Sequence, residues 1–200
     1  NFNLKYDFKH YLGNSTKLTY GLNTQYFEFN PGKITPIDAE SGINERQLDK
    51  KRAIESDLYF DVDQKLSEAI TVNYGLRYSL FCRFGPQNVS IYDNNQAVVF
   101  NEEFGIYEKA IPTGIKSYKS NEVIAQFGNF EPRVSISYSL NENQSIKGSY
   151  NRMAQYLHLI SNTSSPTPLD IWSPSDDFFK PQLLDQFAVG YFRNFKDDKY

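Results

Sequence analysis

The chain has 200 residues and a net charge of −3, so it is long enough for one domain or for part of a larger one. Acidic and basic residues nearly balance, so no nucleic acid is expected as a partner, and a single cysteine, Cys82, excludes a disulfide framework. Aromatic residues make up 16% of the chain, and most are Tyr or Phe, a composition that favours strands over helices. No uninterrupted apolar run is long enough to predict a membrane-spanning helix.

Apolar and polar residues alternate along seven segments, and this period of two is typical of strands with one apolar and one polar face. In the fourth segment, Leu76 and Tyr78 belong to the apolar face, whereas Arg77 and Ser79 belong to the polar face. Phe81 is the one apolar residue on the polar side of that segment. The predicted strands cover residues 2–12, 17–29, 54–66, 70–84, 129–140, 144–151 and 184–195.

The connections between these strands are alternately short and long, and the long ones cover residues 30–52, 85–128 and 152–183. Within the second long connection, residues 89–100 predict a small hairpin turned at Asn94 and Asn95. An antiparallel meander would place all short connections at one end and all long ones at the other. Up-and-down membrane barrels have this asymmetry, whereas connections in soluble domains are mostly about 4–6 residues long.

Strand length also favours a membrane protein. At about 3.3 Å per residue, the strand of residues 70–84 is about 45 Å long, and at a tilt of about 40° it rises about 35 Å. That rise exceeds the apolar band of a membrane barrel, which is about 25 Å tall. We therefore predict an all-β fold, an antiparallel up-and-down meander that forms part of a larger transmembrane β-barrel. The alternative is a soluble β-sandwich or jelly-roll module that binds a ligand or glycan, because its strands alternate in the same way.

Two parts of the chain carry a family resemblance. From Asn129 onward the sequence reads NFEPRVSISYSLNENQSIKGSYNRMAQYLHLISNT, followed by DIW and by KPQLLDQFAVGYFRNFKDDKY. Upstream, ESDLYFDVDQKLSEAITVNYGLRYSLF has the same pattern of strand, turn and strand. These stretches resemble the barrel of TonB-dependent outer-membrane receptors. The long connections 30–52 and 85–128 carry no such resemblance.

The resemblance implies a barrel of about 22 strands, closed by an N-terminal plug, in the outer membrane of a Gram-negative bacterium. It implies uptake of a scarce nutrient, namely an iron chelate, cobalamin, an oligosaccharide or a peptide. The expected partners are outer-membrane lipid, the remaining strands and plug of a longer parent protein, and the TonB complex, which acts through the plug. Some importers of this family also carry a surface lipoprotein, which is a further expected partner. Residues 1–200 would then be a partial receptor barrel, because seven strands do not suffice to close one.

Polar residues on the strands are expected to line the watery interior of the barrel. Three aspartates alternate on one strand face and resemble either a pair of catalytic acids or a calcium site, but charge pairing with Arg77 or Arg133 explains them more simply. No nucleophile elbow, phosphate-binding loop or metal-binding spacing is present, so we predict no enzyme activity, no metal and no cofactor. The predicted lumen-facing set is Asp57, Asp61, Asp63, Arg77, Glu131, Arg133 and Lys147.

A ligand is expected to contact the third long connection, which combines aromatic rings and carboxylates. That chemistry suits a sugar, a cationic peptide or a metal complex. Trp172 and His158 have a second interpretation, in which they only pack the loop onto its neighbours. Cys82 lies on the apolar face, where a small hydrophobic role fits better than a reactive thiol. The candidate ligand-binding residues are Tyr156, His158, Asp170, Trp172, Asp176 and Asp177.

Overall fold

The structure, a computed structural model, describes residues 1–36, 38, 45–160 and 171–195. Its main feature is one antiparallel sheet of seven strands. The strands are β1 (Phe2–Leu12), β2 (Thr16–Phe29), β3 (Lys51–Lys65), β4 (Ile70–Phe84), β5 (Val123–Asn141), β6 (Gln144–Gln155) and β7 (Gln182–Arg193).

Four two-stranded pairings add short strands to the long connections. They join Lys33–Ile34 with Arg46–Gln47, Gln87–Ile91 with Gly114–Tyr118, Val98–Asn101 with Ile106–Lys109, and Leu157–Ile160 with Ile171–Pro174. A 3₁₀ turn covers Asp93–Asn95. Among the described residues, no helix is long and apolar enough to cross a membrane.

Each strand of the sheet pairs with the strand that precedes it and the strand that follows it in the chain. This order confirms the predicted all-β antiparallel meander. Short connections therefore lie at one end of the sheet, the short-turn end, and long connections lie at the other, the long-loop end. One line of register runs across five strands through Tyr6, Leu22, Leu58, Tyr78 and Phe130, all of which share the apolar face.

Several strand limits differ from the predicted ones, mostly at the long-loop end. β3 begins at Lys51 instead of residue 54, β5 begins at Val123 instead of residue 129, and β6 continues to Gln155 instead of ending at residue 151. β7 covers Gln182–Arg193 instead of residues 184–195. The backbone of each extension pairs with a neighbouring strand although its side chains do not alternate cleanly. The long connections are correspondingly shorter than predicted.

The predicted hairpin at Asn94 and Asn95 is wrong. Both residues have positive φ, 53° and 57°, as a tight turn requires, so the chain does turn there. The flanking strands, however, pair elsewhere: Gln87–Ile91 pairs with Gly114–Tyr118, and Val98–Asn101 pairs with Ile106–Lys109. The turn therefore connects two separate pairings.

The two faces of the sheet differ in exposure. Large apolar side chains on the apolar face remain open, for example Leu76 at 45%, Ile136 at 49% and Val189 at 87%. The buried apolar cluster lies instead on the polar face at the long-loop end, and it consists of Phe27, Ala53, Phe81 and Tyr156. The described part of the chain thus contains no second layer that covers the apolar face.

Candidate functional site

A ladder of ion pairs crosses the polar face of the sheet. Asp57 accepts hydrogen bonds from Asn23 Nδ2 at 2.9 Å and from Arg77 Nη2 at 2.5 Å. Arg133 pairs with Asp61 through two donors, and its Nε lies 2.5 Å from Asp61 Oδ1. Because charges that leave bulk water need partners, such pairs suit a narrow aqueous interior.

Other members of the predicted lumen-facing set are also partnered. Asp63 pairs with Lys17 Nζ at 2.5 Å and accepts a hydrogen bond from Asn73. Glu131 accepts a hydrogen bond of 2.5 Å from Ser79 Oγ. All seven predicted residues lie on the polar face. Asp57 and Asp63 pair with cations on adjacent strands, whereas Asp61 pairs with Arg133 two strands away. Lys147 is exposed on this face, with its ammonium 4.8 Å from the ring centroid of Phe192.

Two glycines let long side chains cross an intervening strand. Gly75 of β4 lies in register between Asp61 of β3 and Arg133 of β5, and a Cβ at this position would collide with the Asp61 carboxylate. Gly21 of β2 has the same role, because the Tyr59 hydroxyl passes over it to donate to Asp7. These two hydrogen-bonded contacts between next-nearest strands therefore depend on glycine, which has no side chain, at positions 75 and 21.

A segment that follows β6 folds onto the polar face at the long-loop end. We call the described residues 156–160 and 171–180 the strap. Tyr156 is 2% exposed, and its hydroxyl lies 2.6 Å from Ser79 Oγ and accepts a hydrogen bond of 2.8 Å from Asn129 Nδ2. Its ring stacks on Phe81 with centroids 4.9 Å apart. The first residue of the strap is thus held by both the polar and the apolar parts of its side chain.

Charged side chains hold the second half of the strap, residues 171–180, against the sheet. Asp176 forms an ion pair with Arg83, which is 2% exposed, and Arg83 also donates to Gln87. Lys51 Nζ donates to Ser173 Oγ at 2.8 Å. These contacts attach the strap to the ends of β3 and β4, so the strap covers the polar face at the long-loop end.

His158 is a packing residue of the strap. It is 3% exposed, its Nε2 lies 2.9 Å from Ser175 Oγ, and its ring meets Phe179 edge-on at 4.8 Å. Burial lowers the pKa of His158, and the nearby Asp176 carboxylate partly opposes that shift. The neutral imidazole therefore fits the closed strap best. Burial likewise raises the pKa of the Tyr156 phenol, which stays protonated.

The predicted ligand-binding residues are only partly brought together. Tyr156, His158 and Asp176 lie in the packed interior of the strap, where they have protein partners. Trp172 is 52% exposed, and Asp177 is exposed with its carboxylate 3.8 Å from Lys180 Nζ. Asp170 lies outside the described residues. Within the described residues, no group of three or more His, Cys, Asp or Glu side chains could hold a metal ion.

The sequence interpretation missed the aromatic floor beneath the strap. Phe27 and Phe29 of β2 stack with centroids 6.0 Å apart, and Phe27 belongs to the same buried cluster as Phe81. These phenylalanines occupy polar-face positions, so each interrupts the alternation of its strand. That interruption was the available signal, because an apolar residue on a polar face must be covered by another part of the protein.

Two adjoining cavities open beside the strap. One, of about 790 Å³, lies between the polar-face residues of β2 and β3 and those of β6 and β7, next to Tyr156. The other, of about 500 Å³, lies between the end of β2 and Trp172. Phe27 and Leu157 line both cavities, so the two cavities adjoin at these side chains.

Comparison with known proteins places this architecture in a family. A family model described as outer membrane beta barrel domain matches residues 3–194. No curated protein matches the chain, and no solved structure matches it. The matched range covers all seven strands together with the strap, and the exposed apolar face agrees with a lipid environment. The chain therefore belongs to the outer membrane beta barrel domain family, and its place is the outer membrane of a Gram-negative bacterium.

Proposed function

We propose that the chain is a wall segment of a TonB-dependent receptor that takes up a scarce nutrient. The observation that supports this proposal best is the strap, which Tyr156 and Asp176 fasten across the polar face at the long-loop end. In such a barrel the long loops face the cell exterior. A loop folded inward and held by buried groups narrows the entrance and offers ligand-contacting surface, as a receptor needs.

The remainder of the proposed receptor lies beyond this sheet. β1 and β7 each have one edge without a strand partner in the described structure. Unpaired backbone groups cost several kcal/mol each in hydrocarbon, on the order of a lost hydrogen bond without water. We therefore propose that further strands of a longer protein pair with both edges and close a barrel of about 22 strands around a plug. The plug would receive the pull of the TonB complex, and a surface lipoprotein would cover the long loops.

The proposed role is transport without chemistry. On the polar face, Asp57, Asp61 and Asp63 are held in ion pairs, and His158 is buried against Ser175. These partners leave no free acid–base pair among the residues that the sequence interpretation considered. The alternative of a soluble sandwich is disfavoured, because its apolar stripes would have to be covered by a second sheet.

Growth of the native bacterium tests the proposal. The gene for the parent protein and, separately, the gene for TonB would be deleted. Each strain would be grown with an iron chelate, cobalamin, oligosaccharides or peptides as the limiting source. We expect both deletions to abolish growth on the same source, and the receptor gene in trans to restore it only when TonB is present. Growth that needs this protein but not TonB would indicate a passive pore, and growth that needs neither would reject the uptake role.

A further inference from the structure

The two cavities beside the strap both have mainly apolar walls. The volume of each cavity lies within the range of about 300–1,000 Å³ that is usual for small-molecule sites. Aromatic and aliphatic side chains form most of the surface, and Trp172 presents its half-exposed ring to the smaller cavity. Trp172 is therefore an aromatic surface that is open to a ligand in the smaller cavity.

The polar groups of both cavities are mainly amides. Gln25, Gln155 and Gln182 line the larger cavity, and Asn30 lines the smaller one. A primary amide both donates and accepts hydrogen bonds, so it can pair with hydroxyl groups in either sense. Three amides and one large apolar wall in one cavity suit a ligand that has many hydroxyl groups and an apolar face.

The charges of the lining narrow the ligand class further. Among the described residues, no lysine, arginine or histidine lines either cavity. An anionic ligand would lose its hydration there without gaining a cationic partner. The two carboxylates present are already engaged: Glu55 lies 3.5 Å from Arg77, and Glu28 lies 3.7 Å from Lys50. Neither cavity therefore has a spare charge with which to select a charged ligand.

We propose that the two cavities bind successive rings of a neutral oligosaccharide. Pyranose rings would place their apolar faces against Trp172 in the smaller cavity and against Met153 and Leu184 in the larger one, while their hydroxyl groups pair with the amides. Leu157 and Phe27 lie at the junction of the cavities, where a linkage between sugar rings would pass. This inference rests on the proposed uptake function and names the ligand class of the same site.

A binding assay on the full-length parent protein in detergent tests the inference. The probes are maltohexaose, cellohexaose, xylohexaose and mannohexaose, with pentalysine and trigalacturonate as the cationic and anionic rivals. Calorimetric titration should show saturable binding of at least one neutral hexasaccharide and of neither charged probe. We expect Trp172→Ala to weaken that binding at least about tenfold, because a large stacking surface is lost. Trp172→Phe should retain binding within about threefold, since an aromatic face remains.

Two further variants separate a ligand contact from a structural effect. Gln25→Leu keeps the size of the side chain and removes only its hydrogen bonds, so we expect about threefold or greater weakening. Tyr107→Ala is the matched control, since Tyr107 is an exposed aromatic residue of the Ile106–Lys109 strand and lines neither cavity. Its binding should equal that of the wild type.

The inference would be overturned by binding of pentalysine or trigalacturonate alone, by binding of none of the probes, or by equal binding in Trp172→Ala and wild type. These results are independent of the growth test. TonB-dependent growth on a peptide or an iron chelate would reject the oligosaccharide and leave the receptor proposal standing. Hexasaccharide binding without TonB-dependent growth would reject the receptor and leave the site standing.

Discussion

The ring of Tyr156 stacks on the ring of Phe81 with an interplanar angle of 1° and a centroid separation of 4.9 Å. Phe81 belongs to a long strand of the sheet, and Tyr156 begins the strap, so this one contact joins the wall to its cover. The phenol hydroxyl adds bonds to Ser79 and Asn129 on two strands. The stack buries apolar surface, and the hydroxyl fixes where along the wall the strap is seated.

Removing the Tyr156 hydroxyl should loosen the strap and leave the barrel intact. Tyr156→Phe keeps the stack on Phe81 but removes the acceptor of the Asn129 amide and leaves Ser79 Oγ with Glu131 as its remaining side-chain partner, at a cost of about 1–3 kcal/mol. We expect faster deuterium exchange at the Ser175 amide, which donates to the Tyr156 carbonyl. Unchanged exchange in the strap would show that the hydroxyl does not hold it.

The ion pair between Asp176 and Arg83 should be needed for a closed strap. Asp176→Asn leaves the nearly fully buried Arg83 without its countercharge, and breaking such a pair typically costs about 3–5 kcal/mol. The double variant Arg83→Met with Asp176→Leu should recover much of that loss, because no charge stays buried. Protease accessibility of residues 171–180 measures both variants. An Asp176→Asn protein with wild-type protection would contradict the assigned role.

Closure of the strap should depend on pH through His158. Burial lowers the pKa of His158 in the closed strap, whereas an opened strap would return it toward about 6.5. Neutral His158 therefore contributes fully to the free energy of strap closure above about pH 6.5, and this contribution declines as the pH falls toward the lowered pKa. Deuterium uptake at Ser175, corrected for the intrinsic rate, should rise between pH 7.5 and 5. His158→Gln, which keeps a hydrogen-bonding group, should lose this dependence; an identical profile in both proteins would exclude His158 as its source.

Adjacent positions of β5 should respond oppositely to a charge. Val134 belongs to the apolar face and Ser135 to the polar face, where Ser135 lies opposite Asn73 and Ser149. Val134→Arg should cost about 2–4 kcal/mol near the bilayer midplane and reduce outer-membrane assembly, whereas Ser135→Arg should assemble normally. Ser79, although it also faces the polar side, is a poor control because it is fully buried beneath Tyr156. Equal assembly of the two variants would argue against the assigned faces.

The sequence predicted the faces of the strands, which depend on local periodicity. It did not predict the strand limits or the residues that cover the polar face, which depend on contacts between distant parts of the chain. Alternation around Leu76 and Arg77 predicted the faces, because a strand turns successive side chains to opposite sides. The start of β5 at Val123 was missed, since backbone pairing with β4 maintains the strand there while its side chains do not alternate. The break in alternation at Phe81 was noted and the one at Phe27 was missed, although each apolar residue on the polar face requires a cover. Only the fold shows that Tyr156 covers them, because Tyr156 follows Phe81 by 75 positions in the chain.

Solvent and lipid accessibility along β4 tests the central claim most directly. In the full-length protein in liposomes, Cys82 would be replaced by serine, and single cysteines at Thr71, Val72, Asn73, Tyr74 and Leu76 would carry nitroxide labels. Collision rates with oxygen, which concentrates in lipid, and with a water-soluble nickel complex would be recorded at each position. We predict that Val72, Tyr74 and Leu76 collide mainly with oxygen and that Thr71 and Asn73 collide mainly with nickel. Loss of this alternation, or shielding of Val72, Tyr74 and Leu76 from both reagents, would contradict a sheet with one face in lipid and the other in water.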